Sequence, residues 1–385
     1  MLKEESRATG SLPAAHRPMK VISINPHTDA RWERFVTAHP KGTLYYHPGW
    51  LKALEAEYSQ PGDHLACEDS NGELQAILPL VRTRGLPFGL GGPLGSRRLS
   101  SLPRTPLGGP LSLDPEATAA LLRAAVDSVR ADPGLTLQIK AEGPELDGMA
   151  DGLTCTPWRF SYIVKLLRNP EGQFWIKDKG HRDKVKWAVK KAAKLGVRVR
   201  LCDDEAELKA WYPLYVDSLR RNGVPARSYR LFASLWKELQ PKGLMQFYIA
   251  EQVAENGQAR MVGGSIFLKL GKTVFYAFTG SWRQDLSLHP YDAILWEAIS
   301  DACQTGMEFV DFGEVVEGDV ELVRFKTKWG AEPVHLHRYY FPALPVEAIA
   351  EGESKSSIGE LRDAVWRRLP LNVVAWIGDR VYSYL

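Results

Sequence analysis

The stretch QFYIAEQVAENGQARMVGGSIFLKLGKTVFYAF, residues 246–278, decides the fold. Apolar residues alternate or cluster in Phe247-Tyr248-Ile249, in 261–267 and in 274–278, as they do in strands with a buried face. Asn256-Gly257 separates the first two runs and marks a tight hairpin, because both residues tolerate positive φ. The stretch therefore predicts an antiparallel meander of three strands. Gly263-Gly264 in the middle strand predicts a bulge or a close backbone approach. Working outward, a strand at 197–201 and helices at 204–221 and 229–239 precede the meander. A helix at 290–305 and a strand at 309–311 follow it. The same order occurs earlier in the chain: a strand at 21–24, helices at 28–38 and 50–58, a hairpin carrying Asn71-Gly72, a helix at 115–130 and a strand at 135–140. One α/β unit is used twice, and a duplicated unit leaves a cleft between its copies.

Bulk composition bounds the rest. A chain of 385 residues holds about two domains at ~100–200 residues each. With 44% apolar and 25% charged residues it can build a packed core. A net charge of only +3 excludes a generic polyanion binder, so local clusters must carry any anion recognition. Cys67, Cys155, Cys202 and Cys303 are scattered and form no C-x-x-C, which predicts reduced thiols rather than a disulfide or zinc framework. The first residues, with Glu4, Glu5 and Arg7, lack the apolar core of a signal peptide. No apolar run approaches the ~20 residues of a membrane-spanning helix, so the expectation is a soluble, cytoplasmic protein. Residues 1–18 read as disordered. The stretch 82–110, with Gly89, Gly91, Gly92, Gly108 and Gly109, reads as a long surface loop or an irregular strand pair. After Pro345 a linker-like 354–357 leads to Ile358, Leu361, Val365, Trp366 and Leu369 at helical spacing, with Arg362, Arg367 and Arg368 between them. Such a helix either packs on the body of the protein or lies on a membrane surface.

Two clusters point to chemistry. Between Lys177 and Arg200 basic residues far outnumber Asp178 and Asp183, and Arg182, Lys186, Lys190 and Lys194 recur on one helical face. Like charges four apart cost a helix a few tenths of a kcal/mol per pair, so the row is either a solvated face or a grip for phosphates. The second cluster is Asp311-Phe312-Gly313-Glu314 followed by Arg324-Phe325-Lys326. Asp311 lies at the carboxyl end of a predicted strand, where ligands of α/β folds collect. A kinase is excluded, since no glycine-rich loop or catalytic-loop signature accompanies Asp-Phe-Gly. Lys326 is placed to meet a developing oxyanion or to be an exposed lysine beside a core Phe325. Acylating an amine needs a proton acceptor, and Asp311, Glu314 and His289 are the candidates. Tyr276 is placed to orient the acceptor or leaving group. His335 and His337 share one side of a strand but lack a third ligand, so no metal site is expected.

In order, the basic helix Lys186 to Gly196, Tyr276-Ala277-Phe278-Thr279-Gly280-Ser281, His289-Pro290, Asp311-Phe312-Gly313 and Phe325-Lys326 running to Trp329-Gly330 resemble the Fem-type aminoacyltransferases and the FemAB-like acetyltransferases. His47-Pro48-Gly49-Trp50-Leu51-Lys52, and Leu102-Pro103 through Gly108-Gly109-Pro110, resemble the first half of that family. The resemblance implies two tandem GNAT-like α/β domains with mixed, largely antiparallel sheets. The first would span 19–160 and the second, catalytic one 161–345, with the amphipathic helical tail at 346–385. It implies transfer of an acyl or aminoacyl group to an amine of a cell-envelope or polysaccharide precursor, at the inner face of the membrane. Lys326 and Phe325 would then serve the reacting carbonyl, with Asp311 or Glu314 beside them. Lys52, Lys186, Lys190, Arg324 and Tyr276 would bind substrate. No cofactor is held tightly, and the donor is either an aminoacyl-tRNA or an acyl-CoA. The segment from Arg283 to Pro290 has no glycine with which to cradle the pyrophosphate of CoA, and Pro290 has no N–H to give, which weakens a conventional CoA site. No long heptad-patterned arm interrupts the second domain, a departure from those Fem enzymes that carry one. The rival readings are a CoA-dependent N-acyltransferase on a small molecule and a non-catalytic binding module.

Overall fold

In the computed structural model the described residues are 19–85, 97–344, 365–382 and 384. The expected disorder of 1–18, the glycines Gly89, Gly91 and Gly92, and the tail positions Ile358 and Leu361 lie outside them. The first half runs β1 (Lys20–Ser23), α1 (Ala30–Ala38), α2 (Pro48–Tyr58), β2 (Leu65–Glu68), β3 (Leu74–Leu78), β4 (Val81–Thr83), β5 (Arg97–Ser100), β6 (Leu111–Ser112), α3 (Pro115–Arg130) and β7 (Leu135–Ala141). A long β8 (Thr154–Lys165) leads to α4 (Lys179–Lys194), β9 (Val197–Cys202), α5 (Glu205–Arg221) and α6 (Tyr229–Leu239). The meander β10 (Met245–Val253), β11 (Ala259–Leu270) and β12 (Thr273–Gly280) follows. Then come α7 (Pro290–Gln304), β13 (Phe309–Val315), α8 (Val320–Thr327), β14 (Glu332–Phe341) and, after the gap, α9 (Leu371–Val381). Local chemistry sets many of these bounds. Asp29, Asp114, Asp178 and Asp204 each accept a hydrogen bond from an N–H in the first turn of α1, α3, α4 and α5.

The strands form a four-stranded sheet, β1-β2-β3-β6, and a ten-stranded sheet, β4-β5-β7-β14-β8-β13-β12-β11-β10-β9. The repeat is real in order but not in sheet layout. In the second half β11 is unbroken, whereas its counterpart in the first half is cut into β3 and β4, which belong to different sheets. Pro79 lies at the cut, and a residue without an N–H cannot continue a ladder. The long sheet crosses both halves, because β14 pairs with β7 on one side and with β8 on the other, and β8 pairs with β13 in turn. Most pairs are antiparallel; β5–β7 and β12–β13 are parallel. The halves also share an apolar core. Trp32, Trp50 and Leu54 belong to the same buried cluster as Trp211, Phe232 and Leu239.

At the meander, a Cβ on Gly264 would stand 2.6 Å from the Trp211 ring, so the glycine marks a close approach of α5 to the sheet. The strand read as 309–311 runs on to Val315 through an irregularity between Asp311 and Glu314. In the tail, α9 turns Val374 and Gly378 onto the body and leaves Trp376 exposed, so this helix packs as a protein helix on one face. Among the described residues no helix is long and apolar enough to cross a membrane. The four cysteines are free, and no cluster of three or more His, Cys, Asp or Glu there is arranged to hold a metal.

Candidate active site in the cleft between the halves

β12 and β13 run parallel only from Thr273↔Phe309 to Phe275↔Asp311 and then diverge. Beyond the last pair, Tyr276, Ala277 and Phe278 on one strand and Phe312, Gly313 and Glu314 on the other line a cleft of about 250 Å³. The opposite wall comes from the first half: Tyr45, Trp50, Arg104 and Pro106, with Arg227 from the segment before α6. Larger depressions exist elsewhere, but this cleft combines the diverging strands with ionisable groups from both halves.

Asp311 sits at the apex, 3% exposed. Its Oδ1 accepts from Ser161 Oγ at 2.8 Å and from the Gly313 N–H at 2.6 Å. No protein donor among the described residues reaches Oδ2. Burial pushes the Asp311 carboxyl up, partly offset by the Gly313 and Ser161 hydrogen bonds and by the Lys326 charge. Gly313 has φ +74°, a left-handed conformation that lets its N–H turn back to the carboxylate. Glu314 is engaged on both oxygens: Oε2 accepts from Trp158 Nε1 at 3.1 Å and Oε1 from Arg338 at 3.2 Å. Arg338 is itself buried, lies 4.2 Å from the Trp158 ring, and has an Nε without a hydrogen-bond partner. Burial pushes the phenols of Tyr45 and Tyr276 up, so both are neutral groups at ordinary pH.

Lys326 is 4% exposed and does not line the cleft. Its ammonium donates to the Gly313 carbonyl at 2.8 Å and the Glu314 carbonyl at 3.0 Å, one layer beneath the cleft surface. Burial brings this ammonium down to about 8, with Asp311 and Glu314 opposing. In this structure the expected oxyanion donor instead spends two of its hydrogen bonds bracing the backbone that carries the site. Phe325 packs against the apolar cluster, with Lys328 Nζ 4.9 Å from its ring centroid. It too stands outside the cleft.

The other expected binding residues are dispersed. Lys52 pairs with Glu238 at 2.8 Å, tying α2 to α6, and does not line the cleft. Lys186 and Lys190 lie on the exposed face of α4, whose buried side is Val185, Ala188 and Ala192, and neither lines the cleft. Arg324 is exposed on α8, away from the cleft. His289, at φ +57°, packs edge-on against Trp187. Of the expected residues, the fold thus brings Asp311, Glu314 and Tyr276 together.

The cationic side of the cleft was missed in the sequence. Arg227 forms a buried pair with Glu57 of α2, its Nε 3.0 Å from Oε2. Burial opposes that guanidinium's charge, and the adjacent Glu57 more than restores it. Lys140 of β7, 1% exposed, donates to the Leu102 carbonyl at 2.5 Å and to that of Thr105. Burial and the nearby Arg338, Arg104 and Arg98 charges pull its ammonium down, against Glu314. These residues are single basic positions far apart in sequence, and no period or motif links them.

Residues 179–327 match the family model described as an acetyltransferase (GNAT) domain. Among solved structures, FemX is 15% identical, covering 87% of this chain and 100% of its own, at TM-score 0.62. The C-terminal domain of a provisionally assigned lysylphosphatidylglycerol synthetase from Agrobacterium fabrum is 13% identical, covering 84% of this chain and 94% of its own, at TM-score 0.53. L-PGS from Bacillus licheniformis is 14% identical, covering 79% and 90%, at TM-score 0.52. No curated protein matches the chain in sequence. Residues 179–327 thus carry the signature of an acetyltransferase (GNAT) domain, and the chain shares the fold of FemX.

Proposed function

We propose that this protein transfers an acyl or aminoacyl group to an amine carried by an anionic cell-envelope or polysaccharide precursor. One observation carries the reading: a buried carboxyl, Asp311, faces a cleft whose opposite wall holds Arg104 and Arg227. An acceptor with an amine at one end and phosphate at the other fits that polarity. The name of one fold neighbour agrees with the anionic half of this reading, since lysylphosphatidylglycerol is a phosphate-bearing lipid with an aminoacyl group, there carried on a hydroxyl.

In this reading the acceptor ammonium gives a proton to Asp311, whose raised affinity for protons suits a base. The freed nitrogen attacks the acyl carbonyl carbon and the carbonyl electrons move to oxygen. When the tetrahedral intermediate collapses, the donor oxygen or sulfur leaves with the bonding electrons and takes the surplus proton of the attacking nitrogen, while Asp311 returns its proton to solvent. Tyr276, a neutral phenol on the cleft wall, orients the acceptor or the departing group. Lys326 acts through the Gly313–Glu314 backbone it holds.

Aminoacyl-tRNA is the donor we favour. The segment before α7 is a 3-10 helix, Arg283–Leu288, whose Asp285 is buried and paired with Arg260 at 2.8 Å. A carboxylate there, with Pro290 opening α7, suits a CoA pyrophosphate poorly. The test is to supply envelope precursors with charged tRNA or with acetyl-CoA and to follow product by mass spectrometry. Aminoacylated product that disappears with Asp311→Asn is expected. Consumption of neither donor sinks the reading, and consumption of acetyl-CoA alone moves it to the CoA-dependent rival.

A further inference from the structure

The turn after β5 holds two non-glycine residues in the left-handed region, Leu102 at φ +52° and Arg104 at φ +56°. Strain of this kind persists only where the surroundings enforce it, and it gathers at binding sites. The enforcement is visible. Lys140 Nζ donates to the carbonyls of Leu102 and Thr105, and the Lys140 N–H donates to Ser101 Oγ at 2.9 Å. The turn presents Arg104, exposed, to the cleft. Arg227 has Glu57 as its counter-charge. Among the described residues the Arg104 guanidinium has no carboxylate partner.

What it does meet is Tyr382, just past the end of α9. The ring centroid lies 5.5 Å from the guanidinium carbon of Arg104 and 5.5 Å from that of Arg227, so one aromatic ring meets cations from both halves. Tyr382 is 4% exposed, and its hydroxyl donates to the Pro225 carbonyl at 2.9 Å. The helix that carries it is docked along its length. Arg220 donates to the Leu369 carbonyl at 3.0 Å, Arg230 pairs with Asp379 at 3.0 Å, and a Cβ on Gly378 would fall 2.0 Å from the Ala226 carbonyl oxygen.

We propose that Arg104 is the subsite for a phosphate or diphosphate group of the acceptor, and that Tyr382 is a positioning residue holding Arg104 in register with Arg227. A planar guanidinium without a carboxylate partner among the described residues offers paired N–H donors to phosphate oxygens. The C-terminal helix is then part of the binding site rather than an appendage. This inference rests on the anionic-acceptor reading above.

Calorimetric titration of the full chain with inorganic pyrophosphate tests it. Wild type binds, and the affinity falls as salt rises. Arg104→Gln, at an exposed side chain, weakens binding about 10–100-fold. Tyr382→Leu weakens it about 3–30-fold, while Tyr382→Phe, which keeps the ring, stays near wild type. Thermal unfolding of each variant shows whether the fold is retained. Unchanged affinity in Arg104→Gln overturns the subsite. Equal affinity in Tyr382→Leu and wild type, or equal losses in the Leu and Phe variants, overturns the positioning role. Wild type that ignores pyrophosphate yet consumes an acyl donor removes the subsite and leaves acyl transfer standing. Pyrophosphate binding without donor consumption does the reverse.

Discussion

Each half of the molecule has one parallel strand pair joined through a helix, and the two pairs end differently. In the first half β5 and β7 pair from Arg97↔Leu135 to Ser100↔Gln138, with α3 in the crossover. Past the last pair the strands are stitched together. The Ser101 N–H donates to the Gln138 carbonyl at 2.8 Å, and Lys140 reaches across to Leu102 and Thr105. In the second half β12 and β13 separate after Phe275↔Asp311, with α7 in the crossover, and the opening is the cleft. A buried lysine lies near both places. Lys140 ties the turn after β5 to β7, and Lys326 holds one lip of the opening after β13 in place. The same supersecondary unit thus ends in a cross-linked turn once and in an open cleft once. The difference is which backbone carbonyls the buried ammonium satisfies.

The comparison breaks most visibly at Asp311. Asp311→Asn should cut turnover ~10²–10⁴-fold if the carboxyl is the proton acceptor. The same change should stabilise the fold at neutral pH. The folded-state pKa is raised above 3.8, so between 3.8 and that value the folded chain holds more protons and stability falls as pH rises. Above that window the buried carboxylate is a standing cost, which the amide removes. Denaturant midpoints measured beside turnover check both signs. A variant that is both active and less stable would falsify the role.

At the cross-linked turn, Lys140→Met should destabilise by ~2–4 kcal/mol, because two buried carbonyls lose their donor and the strained turn loses its clamp. Urea unfolding measures this, and a loss under ~1 kcal/mol would mean that the turn holds its own shape. At the open cleft, Lys326→Met gives a pH-dependent difference. The folded ammonium titrates at about 8 against 10.5 as its ordinary value, so between those values the unfolded chain binds the extra proton. Wild-type stability from this group therefore rises with pH across that window. The advantage of wild type over Lys326→Met should grow from pH 7 to pH 10, and a constant gap contradicts the assignment. The smallest effect belongs to α4. Lys186→Glu with Lys190→Glu should shift stability by less than ~0.5 kcal/mol, since both are solvated surface charges. It should also leave pyrophosphate affinity unchanged within error, and a large loss of affinity would bring the basic helix back into the site.

Local physics made much of this fold legible. The helices read at 115–130 and 229–239 coincide with α3 and α6, because Pro115 follows a capping Asp114 and the apolar spacing of α6 is strongly one-sided. The meander was equally plain from alternation and Asn256-Gly257. What could not be read locally was how the copies join. Pairing β14 between β7 and β8 is a choice among strand edges, made by burial over nearly 200 residues of sequence separation.

The site divides along the same line. Asp311, Glu314 and Tyr276 were found because they flank a strand end, and strand ends are visible in a sequence. Lys326 stands out as a residue in the sequence, but its direction does not, since it depends on carbonyls supplied by the irregular end of β13. Arg104, Arg227, Lys140 and Tyr382 carry no pattern at all. Two strained φ angles, a shared core and a docked C-terminal helix bring Arg104 and Arg227 to the cleft, with Lys140 behind the turn that carries Arg104 and the Tyr382 ring beside both guanidiniums. The chain's own order of residues determined a duplicated α/β unit with a carboxyl at a strand end. Tertiary packing alone decided which copy opened and which cations faced it, because long-range burial and charge pairing have no short-range signature.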